Sequence, residues 1–169
     1  MSKVLRRKRQ EMFVYEGFGF PVALLHVPMV RVRGAWTPDV DFNKLSERLL
    51  EALARKAARL TGSEVRFIRH SFAMTLKQFA QRFGVTHPAV IKWERAGNRP
   101  TLMAWAIEKD IRLEILRSRS GLEPKEFMSA YADLKEEAAA RPERIRLEVS
   151  QTASRRKREN QSWQSSMPT

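Results

Sequence analysis

Two stretches of helical spacing flank a single glycine between Thr75 and Pro100, where the chain reads TLKQFAQRFGVTHPAVIKWERAGNRP. Leu76, Phe79, Ala80 and Phe83 fall on one helix face, and Thr75 ahead of them can cap that helix. Gly84 stands where the chain must turn sharply, and glycine takes positive φ at least cost. Thr86 then caps a second helix, with Val90, Ile91 and Trp93 apolar and His87, Pro88, Ala89 and Lys92 left outward. Two short helices across so tight a turn form the geometry that lays one helix in a DNA major groove. The spacing predicts a helix-turn-helix.

Within that motif the residues divide by chemistry. Ala80 and Gly84 are small because helices approach there, and Val85, Val90 and Trp93 fill the core beneath them. Thr86, His87, Pro88, Ala89 and Lys92 occupy the first turn and next outward turn of the second helix, the part that reaches base edges. Lys92 can donate to guanine O6 or N7, His87 can donate or accept, and Pro88 and Ala89 offer apolar contact to a thymine methyl. Pro88 removes an amide from a turn whose donors are unpaired anyway, so Thr86 Oγ is expected to bond the amide of Ala89. Thr75, Lys77 and Gln78 begin the first helix, and Arg95, Asn98 and Arg99 follow the second. Both groups are candidates for DNA phosphates. A plain solvated surface would also display His87 and Lys92; the motif favours base contact. Glu94 would repel phosphate and reads as a structural partner for a nearby cation.

Bulk charge points the same way. The chain carries 32 Lys and Arg against 19 Asp and Glu, a net charge of +13, and such a surface attracts polyanions. The termini contribute through Lys3–Arg9 and Arg155–Arg158, but the central block is basic too, with Arg59, Arg66, Arg69, Lys77, Arg82, Lys92, Arg95 and Arg99. There is no cysteine, which excludes disulfides and thiolate metal sites. No apolar run approaches the roughly 20 residues that span a bilayer, and MSKVLRRKRQ leads into no signal-type apolar region. The reading is therefore a cytoplasmic protein, on bacterial nucleoid DNA, with no membrane partner. No Cys nucleophile, glycine-rich phosphate loop or HExxH spacing is present, so no catalytic, cofactor or metal residue is expected. His26 lies in an apolar strand and reads as a core residue; His70 lies on a helix face among arginines. Aromatic residues fall at core spacing rather than along a basic groove, which argues against a sequence-blind coat for nucleic acid.

The rest of the chain reads as a mainly α (α+β) protein, the helical motif joined to a small N-terminal antiparallel β segment. Residues 1–11 form a charged flexible arm, and 12–58 a β segment plus linker helix. Its strands fall at Met12–Tyr15, Val22–Val27 and Met29–Val32, punctuated by Gly17, Gly19, Pro21 and Pro28. Asp41 caps the linker helix, which buries Phe42, Leu45, Leu49, Leu50 and Leu53. The DNA-binding domain runs over 59–117. It opens with a capping box at Thr61–Glu64, whose helix turns Val65, Ile68 and Phe72 inward, and closes with a helix carrying Leu102, Trp105, Ile107, Ile111, Leu113 and Ile115. Residues 118–149 form a helical extension offered for dimerisation, with Phe127, Tyr131 and Leu134 inward and a weak strand pattern at Arg144–Val149; 150–169 form a disordered basic tail.

Thr75–Pro100 resembles the XRE/Cro-type helix-turn-helix, and the match extends upstream. The run RKAARLTGSEVRFIRHSFAMTLKQFAQRFGVTHPAVIKWE is similar to the C-terminal half of the MqsA/YgiT antitoxin family, over about residues 12–117 in all. The N-terminal text YEGFGFPVALLHVPMVRVRG resembles that family's small β domain. The resemblance implies a homodimer on a palindromic double-stranded DNA operator that represses its own operon, beside a cognate ribonuclease-type toxin. A stand-alone repressor of a phage or mobile element is the alternative. One departure matters. Two CxxC pairs hold zinc in that family, whereas here the text after Val32 reads Arg-Gly-Ala-Trp and the three histidines, at 26, 70 and 87, are scattered. Zinc is excluded, and packing of Phe13, Tyr15, Phe18, Phe20 and Trp36 is expected to hold the β segment instead. No toxin-contacting residue carries over.

Overall fold

The computed structural model describes residues 6–118, 122–136 and 144–149. Among them lie six helices and a four-stranded sheet, a mainly helical α+β arrangement. They fall into two compact units, one of residues 6–15, 22–48 and 146–149, the other of the remaining described residues. The 150–169 tail lies outside the described residues.

The first unit is built on β2 (Val22–Val32), which pairs antiparallel with β1 (Arg7–Tyr15) and with β3 (Ala35–Pro38). Tyr15 lies opposite Val22 and Arg7 opposite Val30, so β1 begins five residues before the Met12–Tyr15 stretch. Residues 7–11, read as part of a flexible arm, are strand. Ladder bonds come from the backbone alone, and an edge strand tolerates charged side chains well. Pro28 does not divide β2. It gives the ladder no donor, but its carbonyl accepts the amide of Asp39 at 2.7 Å. A change of phase occurs instead at His26, whose φ is +52°. Val22 and Leu24 are buried before it, Val27 and Met29 after it, and His26 itself is exposed and bonded through Nδ1 to Glu148 at 2.7 Å. The core role read for His26 is therefore corrected: the left-handed residue slips the alternation and turns the imidazole outward.

The fourth strand comes from the far end of the chain. β4 (Arg146–Glu148) pairs parallel with β2, Leu147 beside Leu24, which makes the sheet mixed rather than purely antiparallel. A parallel partner requires a long connection, and here most of the chain intervenes. The C-terminal extension read over 118–149 thus ends in the sheet of the first unit. α1 (Phe42–Arg55) starts where expected, with Asp41 Oδ1 accepting the amides of Asn43 at 3.1 Å and Lys44 at 3.3 Å.

The second unit holds α2 (Gly62–Ser71), α3 (Leu76–Arg82), α4 (His87–Arg95), α5 (Trp105–Ser118) and α6 (Pro124–Asp133). Leu53, Leu60, Val65, Ile68, Phe79, Val90, Ile111 and Ile115 have no exposed surface, and each such side chain contributes about 1.5–3 kcal/mol. Phe18 and Phe20, expected to brace the β segment, meet the edge of Phe67 in this unit instead, with ring centres 5.5 and 5.8 Å apart. Three apolar assignments fail, the first being Phe42 at the start of α1, which is exposed and lies against the Tyr15 ring. Leu102 is 86% exposed at φ +57°, turned out between buried Thr101 and Met103; Tyr131 is 43% exposed, with Ala130 taking the inward place on α6.

Arg112 is 1% exposed and Glu108 fully buried, a pair that sequence reasoning left unmarked. Glu108 Oε1 accepts Arg112 Nη2 at 2.7 Å and the Leu60 amide at 3.0 Å, while Oε2 accepts Arg59 Nε at 2.7 Å. The Arg112 guanidinium also donates to the carbonyls of Lys56 at 2.6 Å, Ala58 at 2.8 Å and Ala54 at 3.4 Å. It thereby satisfies carbonyls at and beyond the C-terminus of α1, where a cation is favoured. Among the described residues no buried side-chain nitrogen or oxygen is left without a partner.

Candidate nucleic-acid interface

Local chemistry sets α3 and α4. Thr75 Oγ accepts the Gln78 amide at 3.1 Å, and Gln78 Oε1 accepts the Thr75 amide at 2.8 Å, closing a reciprocal cap. The helix ends after Arg82 with Gly84 at φ +65°, the Val85 amide reaching back to the Ala80 carbonyl at 2.9 Å and the Gly84 amide to Gln81 at 3.4 Å. Four residues after Arg82 the chain starts again: Thr86 Oγ accepts the amide of Ala89 at 3.3 Å, as expected, and Pro88 sits in the first turn. The Phe79 and Phe83 rings pack with centres 4.7 Å apart, tilted by 59°, and Val90 and Trp93 are buried.

With Val90 and Trp93 inward, the opposite side of α4 is open. His87, Pro88 and Lys92 are exposed together with the cap Thr86, while Ala89 is half-buried. Thr75, Lys77 and Gln78 are exposed at the start of α3, although Thr75 Oγ and Gln78 Oε1 are already engaged by the cap. The Gln78 side-chain nitrogen makes no hydrogen bond among the described residues. Arg95, Asn98 and Arg99 are exposed at the end of α4 and in the loop beyond it, where Arg99 Nε also reaches the Ala96 carbonyl at 3.4 Å. The structure thus leaves the α4 set accessible around the first turns of that helix, Ala89 only in part, and the others solvent-facing at the ends of α3 and α4.

That loop is rigidly seated. The Ser63 amide donates to Gly97 at 2.8 Å and the Gly62 amide to Arg99 at 3.2 Å, joining the start of α2 to the end of α4. Gly62, which the sequence did not single out, makes the approach feasible, because a Cβ there would lie 2.3 Å from the Trp93 carbonyl oxygen and 2.8 Å from the Gly97 nitrogen. Glu94 supplies a second tie. Its carboxylate accepts Arg69 through two bonds, at 2.6 and 3.1 Å, and Arg66 at 3.2 Å. Burial works to raise the Glu94 pKa, but the bonds from Arg69 and then Arg66 outweigh it and hold the carboxyl below the ordinary range. The structural role read for Glu94 is what the geometry gives.

Pairing sorts the basic block into two classes. Arg59 is taken by Glu108, Arg66 and Arg69 by Glu94, and Arg82 by Glu114 and Asp110. Glu114 is shared with Arg117, whose hydrogen bond leads in holding that carboxyl below its ordinary pKa against partial burial. Lys77, Lys92, Arg95 and Arg99 have no carboxylate partner among the described residues. No group of His, Asp and Glu that could hold a metal ion occurs among the described residues, and none of the helices searched is long and apolar enough to cross a membrane. No protein-family model, curated protein or solved structure matches the chain.

Proposed function

We propose that the protein is a sequence-specific, DNA-binding transcriptional regulator that presents the outward side of α4 to the major groove as a helix-turn-helix. The observation that carries this reading is the exposure of Thr86, His87, Pro88 and Lys92 along the first turns of a helix that buries Val90 and Trp93, flanked by cations with no carboxylate partner among the described residues. Lys92 and His87 supply hydrogen-bonding groups for base edges, and Pro88 with the accessible part of Ala89 supplies apolar contact. Lys77, Arg95 and Arg99, with Asn98, Thr75 and the free amide nitrogen of Gln78, hold phosphates and set the register.

A single short helix covers few base pairs, so useful affinity requires two copies on a palindrome with half-sites about one helical turn apart. Met128 and Tyr131, exposed three residues apart on α6, offer apolar surface for such a dimer. We read the regulator as an autorepressing, antitoxin-like component of a toxin-antitoxin operon. Inhibition of the toxin by direct contact is a second reading, favoured by β1, which among the described residues pairs on one edge only. Footprinting on the DNA upstream of its own gene tests the first reading: a protected site with two-fold symmetry supports it, and an asymmetric or absent footprint refutes it. A neighbouring gene product that copurifies with the chain and loses ribonuclease activity on binding would support the second.

A further inference from the structure

The end of the sheet away from Tyr15 gathers cations that α4 does not use. Arg31 lies opposite Trp36, and its amide donates to the Arg6 carbonyl at 3.0 Å. Lys8 lies opposite Met29 and holds its ammonium 4.7 Å from the centre of the Trp36 ring. Past Val32 the hairpin turns at Arg33 and Gly34, both at positive φ, +49° and +87°. Arg6, Lys8, Arg31 and Arg33 are all exposed, and none of them has a carboxylate partner among the described residues. Asp39 engages Arg7 at 3.5 Å, next along the strand.

Arg33 is the telling member. A two-residue hairpin turn with both residues at positive φ favours Asn, Asp or Gly at its first position, and a long side chain there is strained. What arginine adds at this corner is a guanidinium at the outermost point of the hairpin. A strained backbone position that carries an exposed cation is a reason to look for a ligand there.

We propose that Arg6, Lys8, Arg31 and Arg33 form a second phosphate-binding surface that grips the backbone of duplex DNA without reading its sequence. The proposal rests on the DNA-binding reading for its choice of polyanion. Two members are partly positioned in advance: Lys8 by the Trp36 ring, and Arg31 by its Nε bond to the Gly34 carbonyl at 3.3 Å. Because phosphate contacts carry no sequence information, this surface adds to specific and nonspecific affinity alike, and its signature is the salt dependence of binding.

The test uses the full chain, a labelled duplex of random sequence and a labelled duplex bearing the footprinted site. Arg31→Gln combined with Arg33→Gly removes two cations, and glycine keeps the turn, so the thermal midpoint should hold or rise. The expected result is a fall of about two units in the slope of log affinity against log salt for both duplexes, with their affinity ratio unchanged. An unchanged slope overturns the proposal; if Lys92→Ala still weakens the specific complex in that case, the α4 reading stands alone. A lowered slope beside a Lys92→Ala variant that behaves like the parent upholds the second surface and removes α4 from base contact. If the double variant loses binding to phosphatidylserine vesicles while DNA binding is intact, the surface serves a membrane and the proposal fails.

Discussion

Arginines in two regions of this molecule meet opposite fates. At the junction of α1, α2 and α5, Arg112 and Arg59 share the buried carboxylate of Glu108, and Arg112 donates to backbone carbonyls as well. Around α4, Lys92, Arg95 and Arg99 face solvent with no carboxylate partner among the described residues. The net charge of +13 therefore mixes two populations, one engaged inside the fold and one facing solvent. Composition counts both. Only the pairing tells which cations a polyanion can reach.

If that division is right, breaking the buried set should damage stability most. Glu108→Ala strands Arg112 without its carboxylate and is expected to cost about 3–5 kcal/mol in urea unfolding. A cost below about 1 kcal/mol would mean the pair is solvated and the contrast false. Gly62→Ala comes next. Its Cβ would press on the Trp93 carbonyl, and we expect a loss of about 1–3 kcal/mol together with a shifted Arg99 loop, read by thermal unfolding and by weaker DNA binding.

The exposed set should behave in the reverse way. Lys92→Ala is expected to leave stability within about 0.5 kcal/mol of the parent and to weaken the specific complex by about 1–3 kcal/mol, relaxing one base position. Arg99→Ala should weaken all duplexes about equally and reduce the salt slope by about one unit. Anisotropy titrations over a salt series separate the two. Equal losses of specific and nonspecific binding in both variants would contradict the assignment of reading and positioning roles.

The smallest effect concerns acid. Glu94 titrates lower in the fold than in the unfolded chain, where a glutamate is near 4.3, so its pairing stabilises the fold above that value. The contribution fades as pH falls through the folded pKa. Glu94→Gln should therefore flatten the acid side of the stability profile, a change that unfolding midpoints measured across that range would register.

What the sequence made legible is local. The caps at Asp41, Thr61, Thr75 and Thr86 and the turn at Gly84 depend on residues a few positions apart, and each forms as read. Glu94 as a partner was legible because phosphate would repel it. The buried Glu108–Arg112 pair was not, since an acid and a base four apart on a helix read as a solvent-facing pair; burial comes from the carbonyls at the end of α1, far away in sequence. Residues 7–11 were missed because strand pairing is a backbone property that charged side chains conceal. His26 was misread because one left-handed residue inverts the alternation that assigned it to the core. Leu102 and Tyr131 failed for a similar reason, as a turn or a slight helix rotation decides exposure where apolar residues are sparse.

The central claim is that α4 reads bases with its exposed residues Lys92 and His87. Selection of bound duplexes from a random pool, run with the parent chain and with Lys92→Ala, tests it most directly. The account predicts one palindromic motif for the parent and the same motif with one position per half-site relaxed for the variant. No enriched motif, or an identical motif in both, would contradict it.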